Sequence, residues 1–333
     1  MNMRHRQTFI LSFLILAINL FSLQDRLNAQ SAFLHTGKPA ITSELYSDPY
    51  KSKLFRVKGI PDLQVNIPGG KIDVFSNPQI NGVKVDLYVK RGFSLWSGTR
   101  SLDTYRIIMQ QRGDQIIASV EDTRPGRSSG GTGIEFDIVV QVPADVSTNL
   151  RSLNGDITLV GVNGKHFIQN QTGNVSVKNS DGDIRVVSTT GNVTLENLTG
   201  NIYVKSVSGH IDVLNNEGEV RLRSVTGHIK AENISGTLVS ATTSGNVNAD
   251  FRDVAVGIYI ETISGNINLT LPTSKGYAIE GKAMRFNFNE LNQASVTSRS
   301  VRNREANVII REGELPVNLS SVSGQISVRE LNN

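Results

Sequence analysis

The chain of 333 residues contains no cysteine. This absence excludes disulfide bonds, thiol catalysis, cysteine-ligated zinc and an N-terminal cysteine that carries a lipid anchor. A strong charge is also missing, since the formal net charge is only +4. That value is weak for a protein that binds nucleic acid, so the sequence predicts no nucleic-acid partner. Beyond the first 29 residues there is no long apolar run, and we expect no membrane span there.

One apolar run lies near the N-terminus. Arg4 and Arg6 form a basic start, residues 9–23 are apolar, and a site with a small residue precedes Gln30. This pattern is typical of a secretory signal peptide over residues 1–29. The alternative is an uncleaved membrane anchor, but the run is shorter than the roughly 20 residues that cross a bilayer. We therefore expect an exported protein, which is periplasmic, on the cell surface or extracellular.

A glycine repeat organises the centre of the chain. From Gly155 to Gly245 a glycine falls at every ninth residue, followed by a polar residue and two aliphatic residues spaced by two. The spacing of two predicts strands with one apolar face, and the fixed glycine corners predict a solenoid. The sequence therefore predicts an all-β fold, a parallel β-solenoid of the single-stranded β-helix type.

The positions three before each glycine show that the repeating unit is an 18-residue coil. Asparagine alternates there with a hydroxyl residue, so each coil has two strands and two unlike corners. We expect the asparagines to form a hydrogen-bonded ladder and the hydroxyls to form corner hydrogen bonds. The two columns of this structural ladder are Asn179, Asn197, Asn215 and Asn233, and Ser188, Ser206, Ser224 and Thr242.

The rest of the chain divides around this repeat. Residues 30–52 lack any period and read as a flexible leader, and residues 53–153 alternate as strands without the glycine spacing. They predict a β-rich N-terminal region that caps the solenoid. The regular solenoid is expected over residues 154–271, with a bulge or longer corner near Val254. Residues 272–333 are expected to form irregular C-terminal coils and a cap.

Several motifs resemble a known bacterial family. The residues that carry the resemblance are 55–59 (FRVKG), 69–74 (GGKIDV), 136–143 (FDIVVQVP) and 323–326 (SGQI), together with the repeated strands between them. The chain resembles the β-strand-repeat domain of unknown function whose members are described as putative adhesins. The resemblance implies a secreted, β-helical, surface-associated protein without assigned catalytic residues. Some members with this repeat look like envelope-stress components.

Two sets of side chains are weak candidates for chemistry. His210 and His228 occupy the same position of successive coils and should stack, so they could share a metal or form a polar surface ladder. The acidic candidates are Asp181, Asp183, Glu217 and Glu219, which should lie on one side of the solenoid, two coils apart. They could serve a carbohydrate-cleaving enzyme or belong to a solvated mixed-charge face. The repeat lacks the aspartates of a calcium-binding β-roll.

The leading hypothesis is therefore a non-enzymatic exported protein, an adhesin or a cell-envelope scaffold. Its partner would be a surface glycan, an envelope component or another protein, and no cofactor is expected. The alternatives are a carbohydrate-active β-helix enzyme and a component of envelope-stress signalling. A groove with convergent carboxylates would favour the enzyme, whereas even faces of mixed charge would favour the scaffold.

Overall fold

The computed structural model describes residues 48–91, 101–124 and 134–331. The expected signal peptide and most of the expected leader lie outside these ranges. Within them the regular structure is β, apart from one 3-10 turn at Leu102–Thr104. The strands wind into a stack of parallel rungs with a common core, which confirms the predicted all-β solenoid.

The described residues form 24 strands. The first seven are β1 (Lys51–Phe55), β2 (Asp62–Ile67), β3 (Ile72–Ser76), β4 (Val83–Arg91), β5 (Tyr105–Arg112), β6 (Gln115–Asp122) and β7 (Ile134–Val142). The repeat region holds β8 (Ser147–Asn154), β9 (Ile157–Val160), β10 (His166–Thr172), β11 (Val175–Asp181), β12 (Ile184–Thr190), β13 (Val193–Thr199), β14 (Ile202–Ser208), β15 (Ile211–Thr226), β16 (Ile229–Ser244), β17 (Val247–Ser264) and β18 (Ile267–Leu271). The remaining strands are β19 (Tyr277–Lys282), β20 (Arg285–Asn287), β21 (Val296–Arg302), β22 (Glu305–Ile310), β23 (Leu315–Ser321) and β24 (Gln325–Glu330).

Two parallel stacks of strands make the two faces of the solenoid. Strands β8, β10, β12 and β14 and the second halves of β15, β16 and β17 form what we call face 1. Strands β9, β11 and β13, the first halves of β15, β16 and β17, and β18 form face 2. From β8 to β16 each residue pairs with its equivalent one coil later, as the repeat in the sequence predicts. Each outward position therefore recurs as a column along the solenoid.

The core lies between the two faces. The aliphatic pairs of each rung point inward, and Val177, Val186 and Val204 are fully buried. Burial of each such side chain contributes about 1.5–3 kcal/mol to folding. Near Val254 the register shifts between Gly236 and Leu238, because β17 holds two extra residues relative to β16. This irregularity confirms the predicted accommodation of the insertion.

At the N-terminal end the rungs do not follow chain order. β2 pairs in parallel with both β6 and β8, and β3 pairs in parallel with both β7 and β9. The rung made by β2 and β3 therefore lies between the rung made by β6 and β7 and the first repeat rung. Antiparallel β5 covers β6, and antiparallel β4 and β1 cover β7. These strands cover the edges that would otherwise be open.

The C-terminal end repeats this arrangement. β23 and β24 stack on β17 and β18, and β19 and β20 stack outside them. Antiparallel β22 and β21 then close the edge of β19. Much of residues 272–312 is therefore regular strand, where the sequence predicts irregular coils. The reason is that antiparallel and out-of-order pairing needs no fixed spacing along the chain, so the glycine repeat is absent there.

Candidate functional site: a groove along face 1

An aromatic and arginine column runs along face 1. The parallel register places Asn149, Phe167, Arg185, Tyr203 and Arg221 at the same outward position of five successive rungs. Neighbouring rungs are about 4.8 Å apart, so the two aromatic rings stand roughly 9.6 Å apart. The column is a regular track parallel to the axis of the solenoid.

Cation–π contacts order this column. The guanidinium of Arg185 lies 4.5 Å from the centroid of the Tyr203 ring. Arg151, two residues beyond the column, lies 5.7 Å from the centroid of the Phe167 ring. Such contacts contribute roughly 0.5–1 kcal/mol at exposed sites. They hold the arginines extended along the face, and the rings of Phe167 and Tyr203 remain half-buried.

A polar column runs beside the aromatic one, two residues earlier in each rung and directly after the glycine corner. It comprises Lys165, Asp183, Asn201 and Glu219. Asn201 Nδ2 donates a hydrogen bond to Asp183 Oδ1 at 3.2 Å, and the backbone N–H of Glu219 donates to Asn201 Oδ1 at 3.4 Å. Arg221 Nε in turn donates to Glu219 Oε1 at 2.6 Å. This wall is therefore ordered by contacts between rungs.

The two columns enclose an open groove with a volume of about 580 Å³. Its lining extends over six rungs, from Asp62 on β2 to Glu219 on β15, which corresponds to a length of about 24 Å. The floor is the strand backbone between the walls, at His166, Ile184 and Ile202, whose side chains are buried beneath it. A concave site with aromatic rings on one wall and polar groups on the other is typical of a ligand site.

His166 is a buried part of the floor. Its Nε2 lies 3.0 Å from the carbonyl oxygen of Val162 and its Nδ1 lies 3.0 Å from Oγ1 of Thr148. Because a carbonyl oxygen only accepts, Nε2 carries the proton and Nδ1 accepts from the threonine hydroxyl. Burial lowers the pKa of His166 to about 4. A neutral and hidden imidazole supports the floor and is not placed to act on a substrate.

The asparagine column of the structural ladder lies at the corner that ends each strand of face 2. Its members adopt positive φ angles of 53–56°, a left-handed conformation that asparagine tolerates. Nδ2 of each asparagine donates to Oδ1 of the one on the preceding rung, at 3.0, 2.7 and 2.6 Å. These contacts make the column a continuous side-chain ladder outside the groove.

The hydroxyl column points inward. Ser188, Ser206 and Ser224 are buried, and within the described residues their Oγ atoms have no hydrogen-bond partner. Thr242 does make a corner bond, from Oγ1 to the carbonyl oxygen of Gly227 at 3.4 Å. At the equivalent position Asn170 reaches the carbonyl oxygen of Gly155 at 3.0 Å. The expected corner hydrogen bonds therefore form at Thr242 and at the equivalent Asn170 and Ser321, the last with the carbonyl oxygen of Gly265 at 2.8 Å, but not at Ser188, Ser206 and Ser224.

The two candidate histidines stack on each other. The rings of His210 and His228 are 5.1 Å apart and nearly parallel, at 3°. His210 Nδ1 accepts from the backbone N–H of His228 at 3.1 Å, and His228 Nδ1 accepts from that of Asn246 at 2.9 Å. A nitrogen engaged in this way cannot bind a metal, and parallel rings do not converge on one ion. The described residues contain no group of three or more candidate ligands.

The acidic candidates divide between two columns. Asp181 and Glu217 share one column through Thr199, on the far side of the corner from the groove. Asp183 and Glu219 line the groove with an asparagine between them. The two rungs that separate the members of each pair correspond to about 9.6 Å. Of the four carboxylates, only Asp183 and Glu219 can contact a ligand in the groove.

The aromatic and arginine column was not among the sequence candidates. The columns that the sequence pattern reveals repeat one residue type, whereas this column alternates aromatic rings with arginines. The signal is nevertheless present, because Phe167, Arg185, Tyr203 and Arg221 occupy the same position of successive coils.

A family model described as Toastrack DUF4097 matches residues 135–329, which is more than half of the chain. The chain belongs to this family. The match covers both faces of the repeat and the groove rungs from β8 to β15, whereas the β2 rung with Asp62 lies outside it. No helix in the described ranges is long and apolar enough to cross a membrane.

Solved structures with detectable similarity share 12% sequence identity with the chain. A "putative adhesin" from Bacteroides fragilis aligns over 86% of this chain and 100% of its own, with a TM-score of 0.38. A "putative cell adhesion protein" from Clostridium sporogenes aligns over 84% and 98%, with a TM-score of 0.23. A "putative adhesin" from Parabacteroides distasonis aligns over 84% and 96%, with a TM-score of 0.29. A comparison with curated proteins finds no match.

Proposed function

We propose that the protein is a non-enzymatic binding protein that acts outside the cytoplasm, as an adhesin or a cell-envelope scaffold, and holds an extended glycan in the groove of face 1. The observation that carries this proposal is the placement of Phe167 and Tyr203 two rungs apart along one wall. The expected signal peptide supports the location, and the family assignment agrees with a surface-associated role.

The chemistry of the two walls suits a sugar polymer. A sugar ring has an apolar face of C–H groups, which packs on an aromatic ring, and a rim of hydroxyl groups that donate and accept hydrogen bonds. The aromatic wall supplies the rings at a regular interval. The opposite wall supplies an amide and two carboxylates, at Asn201, Asp183 and Glu219. A linear polymer that lies parallel to the axis of the solenoid, across successive rungs, would contact both walls at once.

A glycan-cleaving enzyme is the second candidate, because Asp183 and Glu219 line the same groove. The carboxylate pairs of inverting glycosidases stand roughly 6.5–9.5 Å apart, and the about 9.6 Å between these two rungs is at the limit of that range. Hydrogen bonds from Asn201 and Arg221 direct both carboxylates along the wall. That arrangement favours recognition of hydroxyl groups over attack on one shared bond.

The test is binding of the purified protein to an array of cell-surface and envelope polysaccharides, with new reducing ends measured in the same wells. We expect binding without products. The double variant Phe167→Ala/Tyr203→Ala should weaken binding by at least about tenfold, or roughly 1.4 kcal/mol. The matched control is Tyr50→Ala, since Tyr50 is 57% exposed and lies outside the groove.

The outcomes separate the alternatives. Products that disappear in Asp183→Asn or Glu219→Gln would establish the enzyme instead. Binding that survives loss of both rings but is lost in Tyr50→Ala would move the site away from the groove. Failure to bind any polysaccharide would remove the glycan hypothesis and leave a protein partner, to be sought by capture from envelope extracts.

A further inference from the structure

We propose that the groove selects an acidic polysaccharide, a glycan whose repeating unit carries a carboxylate. This inference rests on the proposed glycan-binding function and adds the class of ligand. It is drawn from the distribution of charge between the two faces. The aromatic rings alone do not determine whether the glycan is acidic or neutral.

Exposed cations gather on face 1 from β8 to β15. Six are present, namely Arg151, Lys165, Arg185, Lys205, Arg221 and Arg223. Two anions accompany them on these rungs, Asp183 and Glu219, and Asp62 lines the β2 end of the groove, so the local net charge is 6 − 3 = +3. Of the six, Arg221 forms an ion pair, with Glu219, and within the described residues the other five form none. The face therefore carries a run of unneutralised positive charge beside the aromatic rings.

The same rungs carry no such excess on face 2. The outward charged residues of β11, β13 and the first half of β15 are Lys178, Asp181, Glu196, Asp212 and Glu217. The single cation among them is paired, since Lys178 Nζ lies 2.7 Å from Glu196 Oε2. One rung farther, Lys230 Nζ lies 2.9 Å from Glu232 Oε2. The cations of these face 2 rungs are paired with neighbouring carboxylates, and the Lys230–Glu232 pair lines a second groove of about 410 Å³. Five cations of face 1 are unpaired within the described residues, which points to an anionic ligand on face 1 rather than on face 2.

The positions of the cations fit carboxylates spaced along a polymer. Lys165 and Arg185 line the groove itself, while Lys205 and Arg223 lie in the next outward column, on the rungs that follow. Arginine binds a carboxylate through two parallel N–H···O bonds, and cation–π contact keeps Arg185 extended for this purpose. The cations therefore recur along the track at intervals of one or two rungs.

The opposite wall distinguishes an acidic glycan from other polyanions. Asp183 and Glu219 would repel the closely spaced phosphates of a nucleic acid, but they accept hydrogen bonds from sugar hydroxyls. A ligand with carboxylates on one edge and hydroxyls on the other satisfies both walls. This pattern is characteristic of a uronic acid polymer.

The experiment compares one polyuronate with the same polymer after chemical reduction of its carboxyl groups to hydroxymethyl groups. The linkage and backbone are unchanged, so only the charge differs. We expect the full-length protein to bind the acidic form at least tenfold more tightly. The difference in affinity between the acidic and the reduced polymer should shrink as the salt concentration is raised from 0.01 to 0.5 M. The reason is that the Debye length falls from about 30 Å at 0.01 M to less than about 8 Å. A rise in melting temperature with the acidic polymer alone is a second readout.

Matched charge variants locate the effect. Arg185→Gln and Lys205→Gln should each lower affinity for the acidic polymer about three- to tenfold, and by a larger factor than they lower affinity for the reduced one. Lys230→Gln removes a cation from face 2 and should change neither affinity by more than about twofold. The melting temperatures without ligand show whether each variant folds.

Each remaining outcome counts against the inference in a recognisable way. Equal binding of the acidic and reduced polymers would refute the charge selection but keep the proposed glycan function. Equal binding of duplex DNA and the polyuronate would show non-specific attraction of polyanions. Loss of acidic-polymer binding in Lys230→Gln but not in Arg185→Gln would place the site on face 2. Binding of neither polymer, nor of any other glycan, would refute both the inference and the function on which it rests.

Discussion

The stack of corner glycines allows a quantitative test of how the rungs are held together. Gly209 has a φ angle of 131°, and a Cβ atom added there would lie 2.1 Å from the carbonyl oxygen of Gly191 on the preceding rung. Because such contacts are not tolerated below about 3.0 Å, Gly209→Ala must separate these two rungs by about 0.9 Å.

That separation breaks specific hydrogen bonds. The two rungs are joined near the corner by Gly191 N to Ser208 O at 3.1 Å, Val193 N to His210 O at 2.9 Å and His210 N to Asn192 Oδ1 at 2.9 Å. Lengthening each by about 0.9 Å would take all three beyond hydrogen-bonding distance. At about 0.5–1.5 kcal/mol each, plus about 1–2 kcal/mol for the unfavourable φ, the expected loss is roughly 3–6 kcal/mol.

Gly113→Ala is the matched control. Gly113 also has a positive φ, 61°, but a Cβ there would meet no atom within 4 Å. This variant should lose only the conformational part, about 1–2 kcal/mol. Urea denaturation followed by circular dichroism measures both losses, with unchanged m-values as the check that unfolding remains comparable. Equal destabilisation of the two variants would show that contact between stacked corners does not hold the rungs together.

Three further predictions concern single side chains in the rungs. Since burial lowers the pKa of His166 from 6.5 to about 4, the unfolded chain binds a proton that the folded chain excludes between these values. The free energy of unfolding should therefore fall by roughly 3 kcal/mol as pH drops from 6.5 to 4, and His166→Val, which suits an aliphatic column, should remove that part of the pH dependence in urea titrations. Ser206→Ala removes a buried hydroxyl without a partner among the described residues, so the midpoint of urea unfolding should stay the same or rise. Asn215→Gly and Asn215→Ala both lose two ladder hydrogen bonds, at 2.6 and 2.7 Å. Asn215→Ala adds left-handed strain at a φ of 56°, so the alanine variant should be less stable than the glycine variant by about 1–2 kcal/mol in thermal melts.

The repeat region was predictable because every rung of a solenoid needs the same types of residue at the same positions. Each rung needs a glycine where the corners approach, a residue that tolerates positive φ at the other corner, and two inward aliphatics per strand. The sequence therefore shows a regular period over the same residues that stack in register, and the asparagine column, with φ angles of 53–56°, is the clearest sign of it.

The two ends could not be predicted in the same way. The rung that holds Ile72 pairs with Ile157 on one side and with Ile138 on the other, so neighbours in space lie far apart along the chain. No periodic pattern marks such a contact, because the partners belong to separate passes of the chain. Antiparallel strands such as β4 and β22 also place no glycine at a shared corner. Alternation alone indicated strands there, without their order.

The hydroxyl column shows where residue type misleads. Serine, threonine and asparagine occupy equivalent corners, and the sequence suggests one role for all of them. Asn170 and Thr262 reach a glycine carbonyl oxygen, at 3.0 and 3.1 Å, whereas the buried serines at 188, 206 and 224 do not. Ser321 at the equivalent position does reach the carbonyl oxygen of Gly265, at 2.8 Å. The difference therefore lies in the local geometry of each corner, which the sequence pattern does not contain.

The residues that hold the rungs together differ from those that line the groove, which explains why a binding groove can evolve on this scaffold. The rungs are joined by backbone hydrogen bonds, corner glycines and inward aliphatics, so the outward columns contribute little to stacking. Substitutions at outward positions such as Arg185 or Lys205 should therefore leave stability within about 1 kcal/mol, since at most one exposed cation–π contact is lost. The same residues that determine ligand class can change without loss of the fold, and a loss of binding in these variants can be attributed to the groove itself. If Arg185→Gln instead unfolded the protein, the arginine column would be needed to hold the rungs together, and its charge would not be kept free for a ligand.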